Sequence, residues 1–307
     1  MRWAVPSARL LWNPASGRGR GARAIGAIRA AFAAHGLTDL RCTEHSGDET
    51  RLVHEAIADG IGTIVVAGGD GTWSKCAIAL ARAGAPARMA FLAAGTGNDF
   101  AKNIRAPAHD AAAMARLVAT GGTERRVDLG RVDDHWFLNV AGFGFDVAVL
   151  RRSTRLPLLR GPALYVAAAL TELLGYPGLD ARVSTPGGDA DAEWTRHLLL
   201  VFSNGREFGG TFRIAPDARV DDGKLDAVLV GDGTRLGRLP LLARAVRGTH
   251  RDHPSVRALS GARFTVTFRE SPWCELDGEL RRAESPTVEI ASLPGVLRVL
   301  EASPAGN

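Results

Sequence analysis

Along the first 130 residues, short apolar runs alternate with segments in which apolar residues recur every three or four positions. The apolar runs lie at residues 8–12, 37–43, 61–66 and 89–92. Runs of this length predict buried strands, while the spacing of Ile25, Ile28 and Phe32 after the first run is typical of a helix. Strands that alternate with helices predict βαβ units, so we expect an α/β domain with a mostly parallel sheet.

After about residue 130 the alternation stops, and one strand-like run follows another. These runs lie at residues 135–141, 179–185, 196–202, 225–230, 263–268 and 286–290. A series of this kind favours a second, β-rich domain. The chain of 307 residues is long enough for two domains, which we predict at residues 1–130 and 131–294.

Three predicted strands of the first domain are followed by glycine-rich turns at Asn13–Gly21, Gly68–Thr72 and Ala94–Phe100. Glycine lets the backbone approach a ligand closely, and a strand-to-helix turn points free amide groups at an anion. Because the carboxyl ends of parallel strands meet at one edge of a sheet, we expect these turns to form one phosphate site. Asp70 would repel a bare phosphate, so it suggests an intervening Mg²⁺ or a proton to be moved.

Composition narrows the class of protein less than the motifs do. The net charge is +5 with a sequence pI near 9.6, and only three of the 38 basic residues are lysines. The surplus of arginine would favour attraction to an anionic membrane or nucleotide, but a codon bias explains it equally well. Three scattered cysteines argue against a disulfide framework or a zinc site. Without a signal-like start or an apolar stretch of about 18 residues, we expect a cytoplasmic protein.

Several short motifs occur in the order and spacing of one enzyme family. The first three are Asn13-Pro14-Ala15-Ser16-Gly17, Gly68-Gly69-Asp70-Gly71-Thr72 and Gly95-Thr96-Gly97-Asn98-Asp99-Phe100-Ala101. The later ones are Val127–Gly130, Asn139–Asp146, Ala215-Pro216, Asp221–Gly223, Gly248–His250 and Asp277–Glu279. Together they resemble the catalytic domain of the diacylglycerol kinases and related lipid kinases, including the sphingosine and ceramide kinases. The resemblance covers nearly the whole chain and is closest to the small bacterial members.

The resemblance implies a β-sandwich for the second domain, a last strand near residues 295–303 that returns to the first domain, and an active site in the interdomain cleft. It implies transfer of the γ-phosphoryl group of ATP to a lipid hydroxyl, with Mg²⁺ as cofactor and diacylglycerol or a related lipid as substrate. It also implies a peripheral contact with the membrane surface and leaves a homodimer open. Nucleic acid is not an expected partner.

The resemblance also assigns roles to single residues. Asp277 is the expected general base, and Asp70 is expected to support the chemistry through Mg²⁺. The residues expected around ATP are Asn13, Ser16, Arg18, Arg23, Thr43, Gly68, Gly69, Asp70, Gly71, Thr72, Thr96, Asn98 and Glu279. The expected holders of hydrated Mg²⁺, through water, are Asp70, Asp99 and Asp128. The expected ligands of a structural Mg²⁺ are Asp222 and the carbonyl groups of Arg219 and Lys224, although a plain Asp-Gly turn accounts for the same residues.

Two other functions remain open at this point. NAD kinases share the Gly-Gly-Asp-Gly-Thr turn and the use of ATP, but the first motif and the Asp-Gly-Glu motif favour lipid kinases. The hypothesis of a non-enzymatic, basic membrane-binding protein is supported by the pI alone, and the complete carboxylate motifs argue against it. Two segments, 156–174 and 235–247, mix apolar residues with arginines. We expect core packing for both, with insertion into a membrane interface as the alternative.

Overall fold

The structure is a computed structural model that describes residues 7–45, 47–153 and 175–303, together with 169, 170, 172 and 173. The apolar segment that begins at Leu156 therefore lies largely outside the described residues. The chain divides into two compact units. The first runs as far as Val127 and resumes at Gly295, and the second comprises Asp128–Pro294.

The first unit alternates strands and helices. Its elements are β1 (Ala8–Trp12), α1 (Ser16–Ala33), β2 (Leu40–Cys42), α2 (Asp48–Ala58), β3 (Thr63–Gly68), α3 (Asp70–Arg82), β4 (Arg88–Ala93), a 3-10 turn (Phe100–Asn103) and α4 (Ala111–Thr120). It also contains the start of β5 (Thr123–Val132) and the end of β15 (Thr287–Glu301). The strands lie in the order β15, β4, β3, β1, β2, and all of these pairs are parallel.

Strand β3 shows why this sheet is covered on both faces. All six of its residues are buried, and successive side chains point to opposite faces. Val65 and Ala67 join a core that includes residues of α1 and α4. On α3, Trp73 donates from Nε1 to the Val66 carbonyl at 3.0 Å and stacks edge-on against Phe91. The near-continuous apolar character of the run at 61–66 follows from burial on both sides.

The carboxyl end of β15 is fixed in the first unit by a buried charge. Glu301 is buried, and its carboxylate receives hydrogen bonds from Arg105 at 3.3 Å and from Arg125 at 3.1 Å. Val299 pairs with Met89 of β4 in parallel register. Breaking a buried ion pair of this kind leaves an uncompensated charge, so it fixes the position of the chain end.

The second unit is built from antiparallel strands. After the end of β5 its elements are β6 (His135–Phe137), β7 (Val140–Gly144), α5 (Phe145–Ser153), β8 (Leu179–Thr185), β9 (Gly188–Ser203), β10 (Leu225–Gly231), α6 (Arg238–Arg247), β11 (Val256–Gly261), β12 (Arg263–Phe268), β13 (Trp273–Leu276), β14 (Glu279–Arg282) and the start of β15. One path of paired strands is β14, β13, β7, β9, β8, β12, β15, and β10 joins β9 to β11.

Alternation along the strands of the second unit separates two cores. On β9, Phe202 belongs to a core formed by β-strands, whereas Val201 belongs to a second core that includes α5 and α6. On β10, Ala227 and Val228 divide in the same way. Strand side chains alternate with a period of two, so one strand can supply both layers. The predicted fold class, an α/β unit followed by a β-sandwich, is confirmed.

Gly130 on β5 offers a direct test of packing in the second unit. A Cβ atom at this position would overlap the ring of Phe137, which is fully buried. We expect Gly130→Ala to lower the free energy of unfolding by about 1–3 kcal/mol, the usual range for an overpacked core. Gly26→Ala, in the interior of α1 where nothing lies within 4 Å, should instead raise it by about 0.5–1 kcal/mol. Urea denaturation measures both, and equal effects at the two sites would contradict the packing described here.

Candidate functional site

The three glycine turns of the first unit are joined by hydrogen bonds. Asn13 donates from Nδ2 to Thr72 Oγ1 at 2.8 Å, which links the first turn to the second. The carbonyl of Gly68 accepts the amides of Ala94 at 2.7 Å and Gly95 at 3.1 Å, which links the second turn to the third. The convergence expected from the ends of parallel strands is therefore present.

The contact between the second and third turns requires glycine on both sides. A Cβ atom on Gly95 would overlap the Cα atom of Gly69, and one on Gly69 would lie 3.0 Å from the Cα atom of Gly95. In the first turn, a Cβ atom on Gly17 would lie 2.5 Å from the Ala94 carbonyl oxygen. These glycines serve close approach of backbones, which no other residue type allows.

Two helices begin at this cluster without a side-chain cap. Helix α1 starts at Ser16 after Ala15, and α3 starts at Asp70 after Gly69; neither preceding residue caps its helix through a side chain. The first amides of a helix have no partner within the helix, and the dipole makes this end positive. Two uncapped helix starts beside three glycine turns give an arrangement suited to the phosphates of a nucleotide.

Asp70 and Asp99 form the acidic part of the cluster. One oxygen of Asp70, Oδ1, accepts the amides of Asp99 at 2.6 Å and Phe100 at 3.3 Å. Asp99 is buried and pairs with Lys102 Nζ at 2.8 Å. Burial, followed by the charge of Asp99, raises the pKa of Asp70 to about 6. Ionisation of Asp70 is therefore costly here unless a cation lies nearby.

Asp48 shows that this cost comes from the surroundings and not from the local motif. Like Asp70, it is the first residue of a helix and accepts two backbone amides, from Glu44 at 2.7 Å and His45 at 3.1 Å. The amide of Glu44 is the largest of the contacts that hold the pKa of Asp48 well below its usual range. Asp48 also meets His45 and Arg51, whereas Asp70 faces a second carboxylate.

The remaining residues expected around ATP lie at different depths in the first unit. Ser16 donates to the Asn13 carbonyl at 2.8 Å, and buried Thr43 donates its amide to the Trp12 carbonyl at 2.9 Å. Asn98 is buried with a φ of 53° and accepts the Gly95 amide at 3.2 Å, so it closes the third turn. The exposed residues are Gly71, Thr96 and Arg23. The side chain of Arg18 lies outside the described residues.

Asp128 belongs to the second unit, where it binds the turn that contains Asp222. Its Oδ2 accepts the Gly223 amide at 2.7 Å, and its own amide donates to the Val220 carbonyl at 2.7 Å. Asp222 Oδ1 accepts the amide of Lys224 at 3.0 Å. These bonds give both aspartates a part in holding the turn. The structural Mg²⁺ on this turn stays a prediction.

Asp277 also lies in the second unit, in the turn between β13 and β14. Its Oδ2 accepts the amide of Leu138 at 2.6 Å, and its Oδ1 accepts those of Asn139 at 2.8 Å and Val140 at 3.0 Å. Its φ of 50° is unusual for a residue other than glycine. Three amide donors fix the orientation of this carboxylate. Glu279 follows as the first, exposed residue of β14.

Beneath this turn lies a pair of carboxyl groups that the sequence analysis did not single out. Glu275 Oε2 accepts the Gly278 amide at 2.7 Å, and Asp146 Oδ1 accepts the Val147 amide at 2.8 Å. Within the part of the chain described, Glu275 Oε1 and Asp146 Oδ2 are buried without a hydrogen-bond partner. A Cβ atom on Gly142 would overlap Asp146 Oδ2 and lie 3.2 Å from Glu275 Oε1.

Burial makes this pair hold a proton. It raises the pKa of Asp146 to about 7, and burial together with the charge of Asp146 raises the pKa of Glu275 well above its usual value. Asp277 adds a further negative charge near Glu275. Two like charges this deeply buried cannot both ionise at low cost. The only sequence signal was that Asp146 ends one motif and Glu275 lies two residues before another, and spacing alone does not place them together.

Among the described residues, no group of three or more His, Cys, Asp or Glu side chains could hold a metal ion. No helix in the described ranges combines the length and apolar character needed to cross a bilayer.

The Asp146 pair predicts that stability falls as pH rises. The folded protein keeps a proton up to about pH 7 that the unfolded chain releases near pH 4, so the stabilisation is complete below pH 4 and lost toward pH 7. Asp146→Asn, neutral at every pH, should reduce this fall in the free energy of unfolding between pH 5 and pH 8, as measured by urea denaturation. The exposed Asp252→Asn serves as the control and should follow the native profile. A native-like profile for Asp146→Asn would show that Asp146 is not the group that carries the proton.

Comparisons with known proteins agree with this architecture. The family model of the diacylglycerol kinase catalytic domain matches residues 7–132, and that of the YegS C-terminal NAD kinase beta sandwich-like domain matches residues 139–301. A crystal structure of a diacylglycerol kinase from Bacillus anthracis superposes with a TM-score of 0.75 at 21% identity, covering 98% of each chain, which shows a shared fold.

Sequence relatives extend over most of the chain. A "Probable lipid kinase YegS-like" from Pseudomonas aeruginosa is 36% identical over 85% of this chain and 83% of its own. A "Diacylglycerol kinase" from Mycobacterium tuberculosis is 31% identical over 94% of this chain and 93% of its own. Since motif order, both domains and relatives of nearly full length agree, the chain belongs to the family of the diacylglycerol kinases and YegS-like lipid kinases.

Proposed function

We propose that this protein is an ATP-dependent lipid kinase that transfers the γ-phosphoryl group of ATP to the hydroxyl of diacylglycerol or a related lipid. The observation that carries the proposal is the cluster of joined glycine turns in the first unit, with Asp70 and Asp99 beside it. A simple set of connecting turns would not require backbones to meet at Gly69 and Gly95, nor place two carboxylates at an uncapped helix start.

The glycine turns and helix starts would bind the phosphates of ATP. The amides at the starts of α1 and α3 donate to phosphate oxygens, and the small residues of the turns let those oxygens come close. Thr72 Oγ1 already accepts a hydrogen bond from Asn13, so its own proton is available to a phosphate oxygen. Thr96, exposed at the tip of the third turn, is suited to a contact that forms only when nucleotide is present.

Asp70 and Asp99 fit the role of holding hydrated Mg²⁺. Carboxylate oxygens are the ligands that Mg²⁺ prefers, and this ion usually keeps several of its waters. When bound, Mg²⁺ would neutralise charge on the phosphates of ATP. The amides of Asp99 and Phe100 orient the carboxylate of Asp70, and Lys102 offsets the charge of Asp99. Asp128, in the second unit, is the third proposed holder, and Asp222 with the Arg219 and Lys224 carbonyls the proposed structural site.

Asp277 would accept the proton of the lipid hydroxyl. In this step the lipid oxygen forms a bond to the γ-phosphorus, the bond from that phosphorus to the β-phosphate oxygen breaks, ADP leaves, and the hydroxyl proton passes to the carboxylate. The amides of Leu138, Asn139 and Val140 fix the direction of the carboxylate. Glu279, two residues later, is proposed to lie near the nucleotide.

Transfer of labelled phosphate tests the proposal as a whole. The protein is incubated with γ-labelled ATP and Mg²⁺, and with a panel that contains diacylglycerol, phosphatidylglycerol, a sphingoid base, ceramide and NAD. Label in one of the lipids supports the proposal and identifies the substrate. Label in NAD alone would make the protein an NAD kinase, and no label in any acceptor would contradict a kinase of either kind.

Asp70→Asn should separate stability from activity. Removing a costly carboxylate beside Asp99 should leave the thermal unfolding temperature unchanged or higher, while turnover falls at least ~10²-fold because Mg²⁺ loses a charged partner. Asp48→Asn is the matched control, since Asp48 also begins a helix and accepts two amides. It should lower the unfolding temperature and leave turnover nearly unchanged. Near-normal turnover of Asp70→Asn at saturating Mg²⁺ and ATP would show that Asp70 is only a turn residue.

Asp277→Asn should lower turnover and leave the affinity for ATP nearly unchanged. We expect turnover to fall at least ~10²-fold, the lower end of the range for general-base catalysis, with ATP affinity nearly unchanged in a direct binding measurement. Asp133→Asn is the matched control, because Asp133 also has a positive φ, 49°, and accepts a backbone amide, that of Glu289 at 2.9 Å. Both variants should lose some stability, but only Asp277→Asn should lose turnover. Equal turnover in the two would limit Asp277 to holding its turn.

A further inference from the structure

The outer face of helix α6 presents apolar residues to solvent. Leu236 just before the helix is 74% exposed, and Leu239 and Val246 on the helix are 41% and 38% exposed. Leu239, Ala243 and Val246 follow a spacing of four and three residues, so they line one side of the helix. The expectation of core packing for residues 235–247 is therefore wrong for this side and correct for the inner side, where Leu241 is buried.

The inner side of α6 is fixed by a buried ion pair. Arg238 is buried and bonds Asp232 Oδ1 from Nη2 at 2.6 Å. Its Nη1 donates to the carbonyls of Leu173 at 2.6 Å and Tyr176 at 2.9 Å. A helix held this firmly presents its outer residues in a fixed arrangement. The segment tied to it also contains an exposed leucine, Leu170.

The segment that carries this face has charged residues of a single sign. Arg235, Arg244 and Arg247 are exposed beside the apolar residues, and residues 233–251 contain no aspartate or glutamate. We call the set formed by Leu236, Leu239, Ala243 and Val246 with these three arginines the α6 outer face. Leucines with arginines at their border are typical of helices that lie in the interface of an anionic bilayer.

The size and charge of the α6 outer face argue against a second copy of the chain as its occupant. A helix of ten residues is about 15 Å long and about 10 Å wide, which gives a face on the order of 150 Å². A stable protein interface needs about 800 Å² on each partner. Two copies meeting here would also bring six arginines together. A bilayer needs neither a large area nor a complementary protein shape.

We propose that the α6 outer face docks on the surface of a bilayer that contains anionic lipids. The apolar residues enter the boundary between headgroups and acyl chains, and the arginines contact lipid phosphates. The inference deepens the proposed function, on which its biological sense rests, because a kinase acting on diacylglycerol must reach a substrate held in a membrane. Docking itself needs no catalysis, so the two can be tested separately.

Vesicle binding of the full chain tests the docking. Sedimentation with vesicles of phosphatidylglycerol and phosphatidylcholine should show binding that weakens as salt is raised. The variant R235Q/R244Q/R247Q should bind about 10²-fold more weakly, since each arginine near an anionic surface contributes about 1 kcal/mol. The variant R29Q/R82Q/R116Q removes three exposed charges from helices of the first unit and should bind like the native chain. The affinity of the variant L236Q/L239Q/V246Q for the vesicles should be at least about tenfold lower than that of the native chain. Thermal unfolding checks that each variant is folded.

Several results would overturn the docking proposal. One is equal loss of binding in the two arginine variants, which would indicate a response to net charge alone. Another is unchanged binding when the apolar residues are replaced, or equal arginine-dependent binding to a duplex oligonucleotide, which would indicate a polyanion site. A third is concentration-dependent self-association that the α6 variants abolish, which would make a second copy the occupant.

A separate measurement distinguishes this failure from failure of the proposed function. The α6 variants should keep native turnover on a short-chain diacylglycerol dissolved as monomers, and should lose turnover only on diacylglycerol in vesicles. Native vesicle binding without phosphorylation of any lipid would leave docking intact and contradict the kinase. Phosphorylation of the dissolved lipid with no vesicle binding would support the kinase and contradict the docking.

Discussion

The candidate site depends on one close contact, the approach of the Gly68–Gly69 backbone to that of Ala94 and Gly95. The Gly68 carbonyl accepts two amides from the neighbouring turn, and neither Gly69 nor Gly95 has room for a side chain. Because these turns end adjacent parallel strands, the contact fixes the start of α3 against the third turn. The position of Asp70, and the amides that it accepts, follow from this contact.

Electrostatics then distinguishes residues that the backbone treats alike. Asp48 and Asp70 begin helices in the same way, yet the pKa of one is lowered and that of the other is raised to about 6. Burial is the largest cause of the raised pKa at Asp70, followed by the charge of Asp99, whereas the Glu44 amide is the largest cause of the lowered pKa at Asp48, where His45 and Arg51 add to it. A carboxylate kept at such a cost is typical of functional sites, where stability is given up for binding or chemistry.

In the second unit, buried polar groups lie beneath the residues that we propose to be functional. The start of α5 and strand β13 place a pair of carboxyl groups, Asp146 and Glu275, beneath the turn that carries Asp277. On another part of the same unit, Arg238 fixes the inner side of α6 and leaves leucines exposed on the outer side. Buried Glu275 holds the turn that carries Asp277, and buried Arg238 holds α6. In each case the residues proposed to act lie on the element that is held.

The sequence by itself determined the alternation of strands and helices, the order of the glycine turns and the family. These depend on local periodicity and on backbone arrangements that few residue types tolerate. Strands β1 at Ala8–Trp12 and β8 at Leu179–Thr185 were predicted to the residue. Only the tertiary structure decided that Asp146 meets Glu275, that Asp128 binds the Gly223 amide, and that Leu236 is exposed while Leu241 is buried. Such contacts join residues far apart in the chain, or depend on which side of a helix meets the core, and one sequence carries no local signal for either.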